Sequence, residues 1–253
     1  VRILVLDEAD RMLDMGFLPS LRRIAGALPK QRQTMCFSAT LEASVAGLVS
    51  EYTNNPVRIA LGSTLKPVES VELHAFEVSS ADKFDTLREL LRTEKGRTLV
   101  FARTKRGTER LAKHLVREGF MAAMIHGDRS QSQRNGALSG FEEGRYNVLV
   151  ATDVASRGLH IQDVAHVINY DLPTLPEDFI HRVGRTGRAG AKGRASTLVS
   201  PAEWLELRTI ERALQLRIER KDISGDITAE RSSRPRNTLP SRTLRALPGE
   251  IFA

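Results

Sequence analysis

The chain opens on an apolar run, Val1-Arg-Ile-Leu-Val-Leu6, that stops at two adjacent acids, Asp7 and Glu8. An unbroken run of β-branched and leucine residues reads as a strand of a buried parallel sheet. Beyond it the pattern predicts a helix at about 16–28, a strand at 33–37, a helix at 41–52 and a strand at 56–60, punctuated by Pro29 and Asn54-Asn55-Pro56. At Val71 the alternation restarts. Strands are predicted at 71–78, 98–102, 122–125, 147–151, 164–170 and 195–199. Helices are predicted at 83–91, 108–118, 131–143 and 203–216, and another begins at 177–183. Strands alternating with helices imply βαβ units, hence an α/β fold with a doubly wound parallel sheet. Residues 1–63 supply half of such a domain and residues 64–222 a whole one, with a linker at 61–68. Residues 223–253 lose all periodicity and, rich in Ser, Arg and Pro, read as a disordered basic tail.

Composition narrows the function only a little. A hydrophobic fraction of 41% and a charged fraction of 27% are ordinary for a globular protein. No apolar run approaches the ~20 residues that cross a bilayer, so a membrane partner is not expected. The single cysteine, Cys36, excludes an internal disulfide and fits a reducing cytoplasm. The net charge of +7 favours polyanionic partners, because each neutralised phosphate releases counterions. Only 5% of residues are aromatic, which argues against binding by base stacking.

The candidate chemistry sits at strand ends. Open α/β sheets bind ligands just past the carboxyl ends of their strands. There Asp7 can hold Mg²⁺, directly or through water, and Glu8 can orient an attacking water. A solvated helix start is the plainer reading of the pair, and Asp10 can serve as a helix N-cap. Thr152 and Asp153 repeat the strand-then-polar design after 147–151, and Gly158 permits a tight turn. Arg185 and Arg188, three apart, would share one helical face and suit the oxygens of a transferring phosphate, with Gly184 and Gly187 keeping that surface open. Phe101, Arg103 and Thr104 follow one strand. Gly127, Gln131 and Arg134 follow another. Hydroxyls, helix N-termini and arginines at such places suit phosphates and 2′-hydroxyls rather than bases.

Four segments taken together are far more specific than any one. They are Asp7-Glu-Ala-Asp10, Phe37-Ser-Ala-Thr40, Leu149-Val-Ala-Thr-Asp-Val-Ala-Ser-Arg-Gly-Leu159 and His181-Arg-Val-Gly-Arg-Thr-Gly-Arg188. In order and spacing they resemble the DEAD-box family of ATP-dependent RNA helicases, within superfamily 2, from Val1 to about Lys221. The resemblance implies RecA-like domains, ATP with Mg²⁺, and RNA held by sequence-independent backbone contacts. It gives Asp7 the metal, usually through water, and Glu8 the water. It makes Asp10, Ser38, Thr40, His181 and Arg182 coupling residues, and Arg185 and Arg188 arginine fingers. It sets Gly158 and position 160 at the nucleotide, and Phe101, Arg103, Thr104, Gly127, Gln131, Arg134, Thr152 and Asp153 at RNA. The chain departs from the pattern at His160, where most members carry an aspartate and some bacterial ones a histidine; this puts the ribose contact in doubt. No Gly-x-x-x-x-Gly-Lys-Ser/Thr occurs in the 253 residues, so the isolated chain is expected to be inactive. Two rivals stand beside this reading: a non-catalytic RNA-binding or partner-docking module, and a DNA-directed translocase of the same superfamily.

Overall fold

The structure, a computed structural model, describes residues 1–14, 16–38, 43–59, 70–156, 161, 164–187 and 191–221. The expected linker and tail, and Thr40, Gly158, His160 and Arg188, lie outside the described residues.

The first unit is β1 (Ile3–Leu6), α1 (Ala9–Asp14), α2 (Leu18–Gly26), β2 (Gln33–Cys36) and α3 (Ala43–Tyr52). The two strands pair in parallel, Ile3 opposite Gln33 and Leu6 opposite Cys36. Leu6, Ala9, Leu21, Val45 and Leu48 form its small core. The opening run was expected to be buried on both faces, yet Ile3 and Val5 are exposed. The helix expected at 16–28 is shorter, because Gly16 and Phe17 separate α1 from α2. The strand expected at 56–60 does not form at 56–59. Val57 and Ile59 are 87% and 77% exposed, and an extended segment with no neighbouring ladder gains nothing from its β-branched side chains.

The second unit runs β3 (Val71–Glu77), α4 (Lys83–Thr93), β4 (Arg97–Phe101), α5 (Lys105–Arg117), β5 (Ala122–Ile125), α6 (Gln131–Glu142), β6 (Val148–Ala151), α7 (Asp153–Ser156), β7 (Val164–Asn169), α8 (Pro176–Val183), β8 (Gly193–Val199), α9 (Trp204–Leu214) and β9 (Glu219–Lys221). Its seven strands are all parallel, in the order β5-β6-β4-β7-β8-β3-β9. Helices cover both faces. Leu87, Leu91, Leu111 and Leu115 pack α4 and α5 on one side. Phe141, Phe179, Val183, Leu207 and Leu214 pack α6, α8 and α9 on the other. This is the doubly wound RecA-like architecture. Two elements of this unit had no sequence signal: α7 is a single turn, and β9 is a charged three-residue edge strand whose ladder partner among the described residues is β3. No helix among the described residues is long and apolar enough to cross a membrane.

Candidate functional site

At the end of β1 the chain turns sharply into α1. Glu8 takes a left-handed backbone, φ 51°, uncommon for a residue with a Cβ. Its N–H donates to Oδ1 of Asp7 at 3.0 Å, which holds that carboxylate beside the turn. Three further bonds tie the turn to the end of β2. Phe37 N–H donates to Leu6 O at 2.7 Å, Ala9 N–H to Phe37 O at 3.0 Å, and Asp10 N–H to the Ser38 hydroxyl oxygen at 3.3 Å. Asp7, Glu8, Asp10 and Ser38 thus sit on one frame. Cys36, directly before it, is an unbridged thiol pushed above its usual pKa by burial and then by the Asp10 charge. Asp7 is an exposed carboxylate, and no group of three or more acids, histidines or cysteines among the described residues forms a cage for a metal. An exposed carboxylate of this kind fits Mg²⁺, which keeps its waters and takes one or two carboxylates with substrate phosphates.

In the second unit parallel pairing lines up the carboxyl ends of β5, β6, β4 and β7. Gly127, Gln131, Arg134, Thr152, Arg103 and Thr104 come together along this rim. Thr104 caps α5, its hydroxyl accepting from Gly107 N–H at 2.9 Å. Ser130 and Gln133 cap α6 reciprocally, which directs the first turn of that helix and Gln131 outward. Arg134 is braced, donating to Gln131 Oε1 at 3.3 Å and Ala155 O at 3.2 Å. The Arg103 N–H donates to the Asp171 carboxylate at 2.9 Å. Lys105 and Asp128 bridge the ends of β4 and β5 at 2.5 Å, and that bond holds the Asp128 carboxyl below its ordinary range. Sequence reasoning passed over Lys105, because a single lysine beside a cap carries no pattern.

Two residues expected at RNA have other places. Phe101 is 1% exposed, its side chain in the core and withdrawn from the surface. Its ring lies 5.0 Å from the guanidinium of Arg182. Asp153 is clamped by the same guanidinium, Nε at 2.6 Å and Nη2 at 2.7 Å, so its charge is neutralised. Arg182 Nη1 also donates to Asn169 Oδ1 at 3.2 Å and Asp171 O at 2.7 Å. At 1% exposure Arg182 joins the ends of β4, β6 and β7 to α8. Asn169 and Asp171, which complete this junction, had no distinguishing sequence signal. Thr152 is also buried, at the start of α7.

The arginine pair needs a different correction. Helix α8 stops at Val183, so Arg185 lies beyond it and not on a helical face. Arg185 follows the Gly184 cap, and Thr186 bridges Val164 where β7 begins, its hydroxyl donating to Val164 O at 2.5 Å. The Arg185 backbone therefore stands at the amino end of β7, across the sheet from the rim just described. Gly187 does not open a surface. It has φ 67°, and a Cβ there would fall 2.4 Å from Val71 Cγ2. His181 is half-buried on α8.

The second unit is a doubly wound RecA-like domain with polar residues at its strand ends, and the first sets an acid pair at a strand-turn-helix junction. A family model described as DEAD/DEAH box helicase matches residues 1–48, and one described as helicase conserved C-terminal domain matches residues 82–190. The ATP-dependent RNA helicase RhlB of Pseudomonas syringae pv. tomato is 44% identical over 222 residues, 86% of this chain and 56% of that protein. The solved structure of S. cerevisiae Dbp5 bound to RNA and ADP BeF3 superposes with a TM-score of 0.80 at 35% identity, covering 88% of this chain and 60% of that one. That of E. coli DEAD-box protein SrmB bound to regulator of ribonuclease activity A has a TM-score of 0.57 at 35% identity, covering 60% of this chain and 90% of that one. The chain belongs to the DEAD-box family of superfamily 2 helicases. It spans about half the length of the curated relatives it matches.

Proposed function

We propose that the chain is the part of an ATP-dependent RNA helicase that contains the water-orienting acids and the RecA-like domain 2. Residues 1–63 belong to domain 1, 64–222 form domain 2 and 223–253 are a tail. The protein works in the cytoplasm. The observation that carries the reading is the frame joining Asp7, Glu8 and Asp10 to Ser38 across two paired strand ends. A strained turn of this kind persists where the surroundings over-determine it, and such turns cluster at reactive sites.

On this reading Asp7 would hold Mg²⁺ through water, and the ion when bound would neutralise charge at the phosphates of ATP. Glu8 orients the attacking water. Asp10 and Ser38 transmit the state of the first unit, with Thr40 beside them in sequence. Arg185 and Arg188 stabilise the charge that develops on the transferred phosphoryl group, and His181 acts beside them. Gly158 and His160 lie at the nucleotide. RNA lies along the rim made by Arg103, Thr104, Gly127, Gln131, Arg134 and the Thr152 turn, which offers donors to backbone oxygens. Arg182 and Asp153 keep that rim in register with α8.

The test is RNA-stimulated ATP hydrolysis by this sequence expressed from its whole reading frame. The expected result is turnover that vanishes in Glu8→Gln, while Arg185→Ala cuts kcat about 10³-fold with little change in KM. Turnover that survives Glu8→Gln removes the assignment. The 253 residues alone are expected to bind RNA weakly, in a salt-dependent way, and to hydrolyse no ATP above background.

A further inference from the structure

The seven-stranded sheet has two edges, and they are built differently. At one end β9 is Glu219-Arg220-Lys221, a short charged strand of the kind that discourages further pairing. At the other end β5 is Ala122-Ala-Met-Ile125, with no charge, no proline and no bulge, paired among the described residues to β6 alone. Its main chain is thus a bare template on one side. Beside that edge a groove of about 280 Å³ runs between α5 and β5, lined by Ala112, Val116, Ala122 and Met124 with Lys113 and Arg117 on its rim. The apolar surface is open: Val116 is 53% exposed and Met121, just before the strand, 54%. Lys113 bonds only Glu109, at 2.7 Å, an exposed pair of small worth, and Arg117 has no ion-pair partner among the described residues.

We propose that the β5 edge and this groove dock an extended acidic segment of a partner protein. The segment adds as a further strand on β5, sets one bulky apolar side chain among Val116, Ala122 and Met124, and places carboxylates on Lys113 and Arg117. The fit follows from three independent features: an unprotected edge supplies main-chain hydrogen bonds, the groove selects alternate apolar side chains, and the cationic rim selects acids. RNA does not fit, because the lining is apolar and the candidate RNA residues stand at the opposite, carboxyl ends of the strands. Val116 and Arg117 close α5, whereas Thr104 opens it. The site therefore leaves the RNA rim free, so a partner could tether the chain without competing for RNA.

The experiment uses the full 253-residue chain and a synthetic acetylated decapeptide that alternates Asp with Leu and Phe. A second peptide of the same composition has its acids and apolar residues in separate blocks. Binding is followed by fluorescence anisotropy and by amide chemical shifts of the labelled chain. The expected result is preference for the alternating peptide, with shifts centred on residues 112–117 and 121–125. Val116→Glu and Arg117→Glu, both at exposed positions, should each weaken binding about tenfold or more and leave RNA affinity unchanged. Equal binding of both peptides, shifts centred on 103–104 and 127–134, unchanged affinity in both variants, or self-association of the chain through β5 would each overturn the proposal.

Discussion

Arg182 shows how one buried charge organises a site. Its guanidinium meets a bidentate carboxylate, a side-chain amide and a main-chain carbonyl, and stacks on Phe101. Removing one partner of such a pair leaves the other charge stranded. Arg182→Met should therefore cost the second unit about 3–5 kcal/mol, read from urea unfolding. Arg182→Lys should recover little, since a single ammonium cannot span both oxygens of Asp153 and still reach Asn169. An unfolding midpoint within error of wild type would refute this account. Glu8 offers the converse case, a surface residue under backbone strain. Glu8→Val should destabilise by more than about 1 kcal/mol, because a β-branched residue tolerates positive φ poorly, whereas Glu8→Asn should be nearly neutral. A melting temperature that ranks Val above Asn would contradict the strained turn.

Among the elements, β3, β7 and β8 carry a polar patch that packing alone would not choose. His166 on β7 is buried, with Nε2 2.8 Å from the Ser196 hydroxyl and Nδ1 3.4 Å from the Glu94 carboxylate. That carboxylate is shared with Arg194 at 3.6 Å, and burial decides the outcome: the imidazole is pushed down to about 3, by burial first and then by Arg194 and His74. His74 on β3, 3.2 Å from Glu219, is lowered as well, chiefly by burial. In the unfolded chain a histidine titrates near ~6.5. The unfolded state then takes up protons that the folded state refuses. Stability from these groups is whole above about pH 6.5 and falls as the pH drops from there toward 3, by at most about 1.4 kcal/mol per pH unit for His166. Unfolding midpoints should fall between about pH 7 and 5, and His166→Gln, which keeps a partner for Ser196, should flatten that fall. Equal slopes for both proteins would remove His166 as the cause.

For the whole molecule, the two units differ in how much apolar surface they bury. Residues 70–221 hold two core clusters around a seven-stranded sheet, whereas the first unit leaves Ile3, Val5 and Phe37 about half exposed. Limited proteolysis should cut between about residues 60 and 70 and leave the second unit as the resistant core. A stable fragment of residues 1–59 that had lost everything after Val71 would contradict this. The sequence by itself determined the alternation of strands and helices, the restart at Val71 and the set of polar strand ends, because periodicity, turn residues and motif spacing are local properties of the chain. It left Ile3 and Val5 ambiguous, since a run apolar at every position does not say which faces will be covered. Only the tertiary structure decided the strand order, the small elements α7 and β9, and the end of α8 at Val183. It also buried Phe101 and Arg182 together and separated Arg185 from the rim. The reason is physical: whether a guanidinium faces solvent or clamps an aspartate 29 residues away depends on which strand ends the sheet sets side by side.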